Sequence, residues 1–248
     1  MRNFYFFLLM LAPLYSLAGV ITEHSRFIFN GDNTFESSVL VNTNKYPVVV
    51  QLWIDHGDYT QSPEKSDAPF FITPVTSKMD PLKINEIKIF YSGDYTSLPQ
   101  DRESLYWVNI FEIPPIDAKT LEDNKVTLSM LTQVKLIYRP IKLKTNATEL
   151  RKSLAKVTYK IESVQGETSL ILNNPTPYIA NIASLSLFNR SGKILSKVDA
   201  TQGDNLTIFP LSSKTITLKN FADTKSIYGV TLGLIDDQGR EYTQKIVN

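Results

Sequence analysis

Histidine and cysteine, which often bind metals or act as catalytic bases and nucleophiles, are scarce in this sequence. The chain has two histidines, His24 and His56, and no cysteine, and nothing in the sequence has the spacing of a metal site. Adjacent acids occur at Asp236-Asp237 and Glu122-Asp123, but neighbouring acids alone do not specify the geometry that glycoside hydrolysis needs. The sequence therefore favours a binding protein over an enzyme, and it indicates no metal and no cofactor.

The most informative pattern is a long alternating segment from Val126 to Tyr138. The apolar side chains on one face are Val126, Leu128, Met130, Val134, Leu136 and Tyr138. At about 3.3 Å per residue, such a strand is about twice the usual length. An edge strand that exposes apolar residues is an aggregation hazard unless a partner pairs with it. The pattern leaves two interpretations open: part of this face binds a partner, or all six residues are ordinary core.

The rest of the sequence predicts an all-β fold, because short alternating or β-branched runs are separated by turn residues. The predicted strands are 25–29, 39–42, 48–55, 87–91, 106–113 and 126–138 in the first half, and 157–161, 169–172, 179–187, 206–209, 215–218 and 228–235 in the second. One helical turn is predicted from Thr148 to Leu154, where Leu150 and Leu154 have helical spacing.

A domain boundary is predicted after Arg139-Pro140, where the long apolar strand gives way to a polar segment at residues 141–146. The two predicted domains are residues 19–141 and 146–248, each about the size of an immunoglobulin-like sandwich. The Cys, Trp, Cys arrangement of antibody domains is missing, so the likeness to that fold is one of architecture.

The first 18 residues resemble a secretory signal peptide, with Arg2, an apolar run from Phe4 to Leu14, and the small residues Ser16 and Ala18 before the expected cleavage at Gly19. Removing them leaves 25 basic and 25 acidic residues. This balance argues against nucleic-acid binding. No later apolar run is long enough to span a bilayer, so the mature protein is not expected to be membrane-embedded.

One segment, Leu98-Pro-Gln-Asp-Arg-Glu-Ser-Leu-Tyr-Trp-Val-Asn-Ile-Phe-Glu-Ile-Pro-Pro115, resembles the signature of the periplasmic pilus (fimbrial) assembly chaperones. Further stretches in both halves support the resemblance. They are Tyr46 to Asp55, Phe70 to Pro74, Val134 to Pro140 and Asn174 to Tyr178. The resemblance implies two immunoglobulin-like domains in a boomerang arrangement. It also implies a periplasmic protein that binds, folds and caps pilus subunits by donor-strand complementation, and delivers them to the outer-membrane usher.

The resemblance also implies roles for individual residues. The family binds the carboxyl terminus of its subunit through an Arg and a Lys, and the matching positions are Arg26 and Lys135. Alternate residues of the long strand fill the groove of the subunit, and here these are Val126, Leu128 and Met130.

A second set of residues links the two domains of the family, and the matching positions are Glu103, Arg139 and Asp237, with Asp236 as the alternative acid. The short segment between Pro115 and Val126 and the absence of cysteine resemble the short-loop branch of the family. The sequence leaves open whether the free protein self-associates.

A different class of protein also fits the composition: a secreted sandwich module that binds carbohydrate or a cell-surface ligand. Such a module would use exposed aromatic platforms such as Tyr59, Tyr91 or Tyr95. The chaperone interpretation depends instead on Arg26, Lys135 and the apolar stripe.

Overall fold

A computed structural model describes residues 19–60, 62–93, 97–115, 128–164, 167–199, 206–218 and 224–247. The expected signal peptide, Val126 and Tyr95 lie outside these residues. In the first half the strands are β1 (Val20–Thr22), β2 (Arg26–Asn30), β3 (Phe35–Asn42), β4 (Val48–Asp55), β5 (Phe70–Thr73), β6 (Thr76–Met79), β7 (Ile84–Tyr91), β8 (Ser104–Ile113) and β9 (Met130–Arg139).

The second half begins with a helix, α1 (Ala147–Leu154). Its strands are β10 (Thr158–Val164), β11 (Glu167–Asn174), β12 (Ala180–Phe188), β13 (Ile194–Asp199), β14 (Thr207–Ile208), β15 (Ser212–Leu218), β16 (Gly229–Ile235) and β17 (Glu241–Val247). No helix in the described part of the chain has the length and hydropathy of a membrane span.

Each half packs two sheets around its own hydrophobic core. In the first half, a sheet in the order β1-β3-β7-β5 faces one in the order β2-β9-β8-β4-β6, with one continuous apolar cluster between them. In the second half, β10-β11-β15 faces β13-β12-β16-β17, with β14 paired to β12, and a separate cluster fills that domain. The predicted all-β, two-domain fold is therefore confirmed.

The helix is fixed by its cap and its buried face. Asn146 accepts hydrogen bonds from the backbone N–H groups of Thr148 and Glu149, both at 3.0 Å. These bonds satisfy donors that the first turn leaves free. Leu150 and Leu154 are buried against the second core. The predicted helical turn thus becomes a two-turn helix after the domain boundary.

The long strand is shorter than the sequence predicts, since β9 begins at Met130 rather than Val126. Met130 pairs with Glu112 of β8, the last residue pair of their antiparallel ladder. Continuing the ladder would place Leu128 opposite Pro114, which has no backbone N–H to donate. Leu128 therefore lies just before β9, and Val126 is outside the described residues.

Candidate functional site

Strands β2 and β9 form the parallel pair of the first domain, and this pairing brings two cations side by side. Arg26 and Lys135 are direct partners in the ladder. The neighbouring side chains of β2, Phe27 and Phe29, are 1% and 0% exposed in the core. Because side chains alternate along a strand, burying these two rings directs Arg26 to the opposite face, beside Lys135. The apolar residues of β2 therefore fix where its cation lies.

Arg26 is buried, and no carboxylate among the described residues pairs with it. Its side chain is 8% exposed, and its Nε and Nη1 atoms donate to no described group. Burial lowers the pKa of its guanidinium, although the more distant charges of Asp237 and Asp236 oppose that shift. A buried charge of this kind is costly unless a counter-charge is bound.

Lys135 reaches the second domain without meeting an acid. Its Nζ donates to Asn181 Oδ1 at 2.8 Å and to Thr207 Oγ1 at 2.5 Å, and lies 5.6 Å from the centre of the Trp107 ring. Burial, together with the charges of Arg26 and Lys214, lowers the pKa of the Lys135 ammonium to about 8. Within the described ranges, neither Lys135 nor Arg26 forms an ion pair.

Arg26 is buried, Lys135 beside it is half-buried, and neither has an acid partner among the described residues, so the pair can bind an anion. A carboxylate can accept charge-assisted hydrogen bonds from a guanidinium and an ammonium at once. Such a ligand would also relieve the mutual repulsion of Arg26 and Lys135. This arrangement can therefore bind one carboxylate group at the boundary of the two domains.

An open strand edge runs away from this site along β9. Strand β2 pairs with β9 only from Lys135 to Arg139, whereas β8 pairs with the whole of β9. Among the described residues, the part from Met130 to Val134 therefore has a neighbouring strand on one side only. An extended chain can add to such an edge through backbone hydrogen bonds.

The apolar face of β9 changes from buried to exposed along its length. Val134, Leu136 and Tyr138 are 6%, 0% and 1% exposed, whereas Met130 is 44% exposed and Leu128, just before the strand, is 80% exposed. Val134, Leu136 and Tyr138 are thus core residues of the first domain. Leu128 and Met130 are available to a partner, and the predicted third member, Val126, lies outside the described residues.

A second cation of β9, Arg139, lies in a fully paired environment. Its Nε donates to Glu103 at 2.6 Å, and its Nη1 and Nη2 donate to the two carboxylate oxygens of Asp237 at 2.7 and 3.0 Å. Burial opposes the charge of Arg139, but the hydrogen bonds and charges of Asp237 and Glu103 raise its pKa above the usual range. This network joins the two domains.

Asp236 has a separate role. Its side chain is 0% exposed and pairs with Arg151 and Arg240, and it accepts hydrogen bonds from the backbone of Gln238 and Arg240. These bonds shape the turn between β16 and β17, and so present Asp237 to Arg139. Of the two candidate acids, Asp237 is therefore the one that contacts Arg139.

Three contacts of the site could not be predicted from the sequence. Asn181 and Thr207 meet Lys135 across 46 and 72 residues of chain, and the backbone N–H of Ile179 donates to Glu103 at 2.6 Å. Asn181 and Thr207 are both only 4% exposed. A polar residue within an apolar strand weakly indicates a functional site. The positions of Asn181 and Thr207 in the sequence do not indicate that they contact Lys135.

Two of the three tyrosines proposed for a carbohydrate platform lie in the described residues, and they differ in their surroundings. Tyr59 is 75% exposed, whereas Tyr91 packs against the first core and lies 6.3 Å from Tyr138 in a stacked arrangement. The described residues also contain no group of three or more His, Asp or Glu side chains that could hold a metal ion.

Comparisons with known proteins agree with this geometry. Residues 19–144 match the family described as pili and flagellar-assembly chaperone, PapD N-terminal domain, and residues 152–246 match the pili assembly chaperone PapD C-terminal domain. The chain is 36% identical to the probable fimbrial chaperone YadV of Escherichia coli K12 over 180 residues, which is 72% of this chain and 71% of that protein.

Two further similarities cover most of the chain. It is 32% identical to the chaperone protein FimB/FhaD of Bordetella pertussis over 211 residues, 84% of this chain and 81% of that one. The crystal structure of the YadV chaperone superposes with a TM-score of 0.74 at 29% identity, covering 92% of this chain and 99% of the other. These similarities do not support a carbohydrate-binding module. The chain belongs to the pilus assembly chaperone family.

Proposed function

We propose that this chain is a periplasmic chaperone that binds and caps pilus subunits by lending them strand β9, and then passes them to an outer-membrane usher. The subunit is the partner for which the site is suited. One structure of similar fold supports this partner, because it contains the Salmonella enterica SafA pilin in complex with the SafB chaperone. Membership of the family supports the export and the delivery step.

The observation that carries the proposal is the pair of unneutralised cations at the end of an open strand edge. The last carboxylate of a subunit binds Arg26 and Lys135, and the chain before it extends along β9 toward Met130. The anchor fixes the register of the added strand, because only one residue of the guest carries the terminal carboxylate. Leu128 and Met130 then meet the groove of a subunit that lacks its own final strand.

The expected free-energy contributions indicate different roles for the cation pair and for the apolar residues. Each hydrogen bond to a charged group contributes about 1.5–3 kcal/mol, and each fully buried aliphatic side chain contributes roughly 1.5–3 kcal/mol before ordering costs. Several apolar residues together therefore supply most of the affinity. The cation pair supplies the choice of register and of a chain end over an internal segment.

Co-expression with a pilus subunit, followed by purification of the complex from the periplasm, tests the anchor. Arg26→Ala and Lys135→Ala should each abolish capture, because each removes one of the two donors to the carboxylate. The matched control is Lys160→Ala, which removes an exposed lysine of the second domain that pairs with Glu162. Capture at the wild-type level by both Arg26→Ala and Lys135→Ala would disprove the anchoring role.

The apolar part of the site has its own test. Met130→Asp and Leu128→Asp should weaken subunit binding at least tenfold, since about 1.4 kcal/mol corresponds to a factor of ten. Leu128 is 80% exposed in the free protein, so Leu128→Asp should change the melting temperature little. A large fall in the melting temperature of Leu128→Asp would instead assign this residue to the protein's own core.

A further inference from the structure

Glu112 is a buried carboxylate whose counter-charge is missing from the described side chains. It is 6% exposed, and its two oxygens accept hydrogen bonds from Asn44 Nδ2 and from the backbone N–H of Val20, both at 2.7 Å. Within the described part of the chain, no lysine, arginine or histidine pairs with it. A carboxylate buried in this way usually has a cation close by.

The residue next to this carboxylate is Gly19, the expected first residue of the mature chain. Gly19 is buried, and its nitrogen donates to Asn44 Oδ1 at 3.0 Å. Its carbonyl oxygen accepts hydrogen bonds from Thr43, from Oγ1 at 2.7 Å and from the backbone nitrogen at 3.0 Å. A Cβ on Gly19 would lie 3.6 Å from Glu112 Oε2, and the next residue, Val20, donates its N–H to the same oxygen, so Gly19 lies beside this carboxylate.

We propose that the α-ammonium group of Gly19 is the counter-charge of Glu112, and that Asn44 and Glu112 form a binding site for the new amino terminus that keeps Met130 in place. The inference rests on the proposed function and on cleavage after Ala18. Hydrolysis of the Ala18–Gly19 peptide bond consumes one water. The carboxylate stays on Ala18, and the Gly19 nitrogen becomes an amine that is protonated at neutral pH.

An ammonium suits this position better than an amide does. It keeps the hydrogen bond to Asn44 Oδ1 and adds donors that an amide nitrogen lacks. It also neutralises Glu112, which the amide cannot do. The ion pair therefore forms only after the leader is removed, and the processed chain is the form that the site stabilises.

The amino terminus is linked to the subunit-binding strand through Met130. Met130 is the partner of Glu112 in the β8–β9 ladder, and a Cβ on Gly19 would lie 2.7 Å from Met130 Cε. Gly19 thus leaves just enough space for the methionine methyl group. Residues Gly19, Asn44 and Glu112 act as positioning residues for the beginning of β9, where the apolar groove-filling residues lie.

The first test measures the amino terminus in the exported, processed protein. Mass spectrometry should give a chain that begins at Gly19, and NMR titration of ¹⁵N-glycine-labelled protein should give an α-amino pKa above about 9, against an ordinary range of about 7.7–8.0. A different first residue, or an α-amino pKa in the ordinary range, would overturn the inference. This measurement needs no variant and so does not depend on whether a variant folds.

A double-mutant cycle then measures the coupling. Selective acetylation of the α-amino group and Glu112→Gln should each lower the melting temperature by several degrees and weaken subunit capture severalfold, and combining them should add little. Additive losses would mean that the two groups do not interact. If capture still depends on Arg26 and Lys135 while the cycle shows no coupling, this inference fails and the proposed function stands.

Discussion

Lys135 and Arg139 are four residues apart on β9, and both are held at the boundary between the domains, yet their surroundings are opposite. Arg139 contacts two carboxylates, Glu103 and Asp237. Lys135 contacts the neutral groups of Asn181 and Thr207 and stands beside another cation, Arg26. Arg139 is therefore compensated by acids within the fold, whereas Lys135 is the cation that we propose binds a ligand.

Arg139 and Lys135 differ in whether a counter-charge compensates them in the free protein. A buried ion pair resists the loss of either partner, because the remaining charge is left uncompensated. An unpaired buried cation destabilises the free protein, and a ligand that supplies the missing charge removes that penalty. Removing Arg139 and removing Lys135 should therefore have opposite effects on stability.

The largest effect is expected from Arg139→Met. This change leaves Glu103, with a side chain only 1% exposed, without its counter-charge. The free energy of unfolding should fall by about 3–5 kcal/mol, measured by denaturant titration. Adding Glu103→Gln to Arg139→Met should recover part of the lost stability. If Arg139→Met alone were as stable as the wild type, the network would have no structural role.

A smaller effect of opposite sign is expected from Lys135→Met, which keeps most of the side-chain volume and removes the charge. The melting temperature of the free protein should stay the same or rise by about 2–4 °C, the change that about 1 kcal/mol produces in a chain of this size. Subunit capture should be lost. A fall in stability as large as that of Arg139→Met would show that the two cations are equivalent.

The smallest effect is a dependence on pH. The pKa of Lys135 is about 8 in the folded protein, below the ordinary lysine value of 10.5, so between these two pH values the unfolded chain binds more protons than the folded protein. The contribution of Lys135 to stability therefore rises with pH across this window. The stability advantage of Lys135→Met at neutral pH should shrink as pH rises from 8 toward 10.

Subunit binding should have the opposite pH dependence, because the carboxylate needs the charged ammonium. Affinity should fall as pH rises above 8 in the wild type and be lost at every pH in Lys135→Met. A wild-type affinity that is flat across this range, measured by titration calorimetry, would mean that Lys135 does not contact the guest's charge.

Much of the fold could be predicted from the sequence, because alternation identifies strands that bury one face. Strands β4, β8 and β16 lie close to their predicted ranges. No predicted range covers β1, β5, β6, β13 or β17, since these strands are short or carry many polar and charged residues. Glu241 to Val247 of β17, for example, buries only one side partially, so its pattern does not differ clearly from that of a loop.

The candidate site was predicted from a resemblance rather than from the pattern of residues. Arg26 and Lys135 look like ordinary surface charges in sequence, and only the β2–β9 pairing shows that they are neighbours. The contacts of Lys135 with Asn181 and Thr207 depend on how two domains meet, which local periodicity does not encode. The roles of Arg26, Lys135, Leu128 and Met130 in binding a subunit stay predictions.

The most direct test compares one pilus subunit prepared with a free carboxylate at its last residue and with a carboxamide there. The carboxylate form should bind the wild-type protein at least tenfold more tightly by titration calorimetry, and Lys135→Met should remove most of that difference. Equal affinity of the wild type for the two forms would contradict the claim that Arg26 and Lys135 recognise the end of a chain.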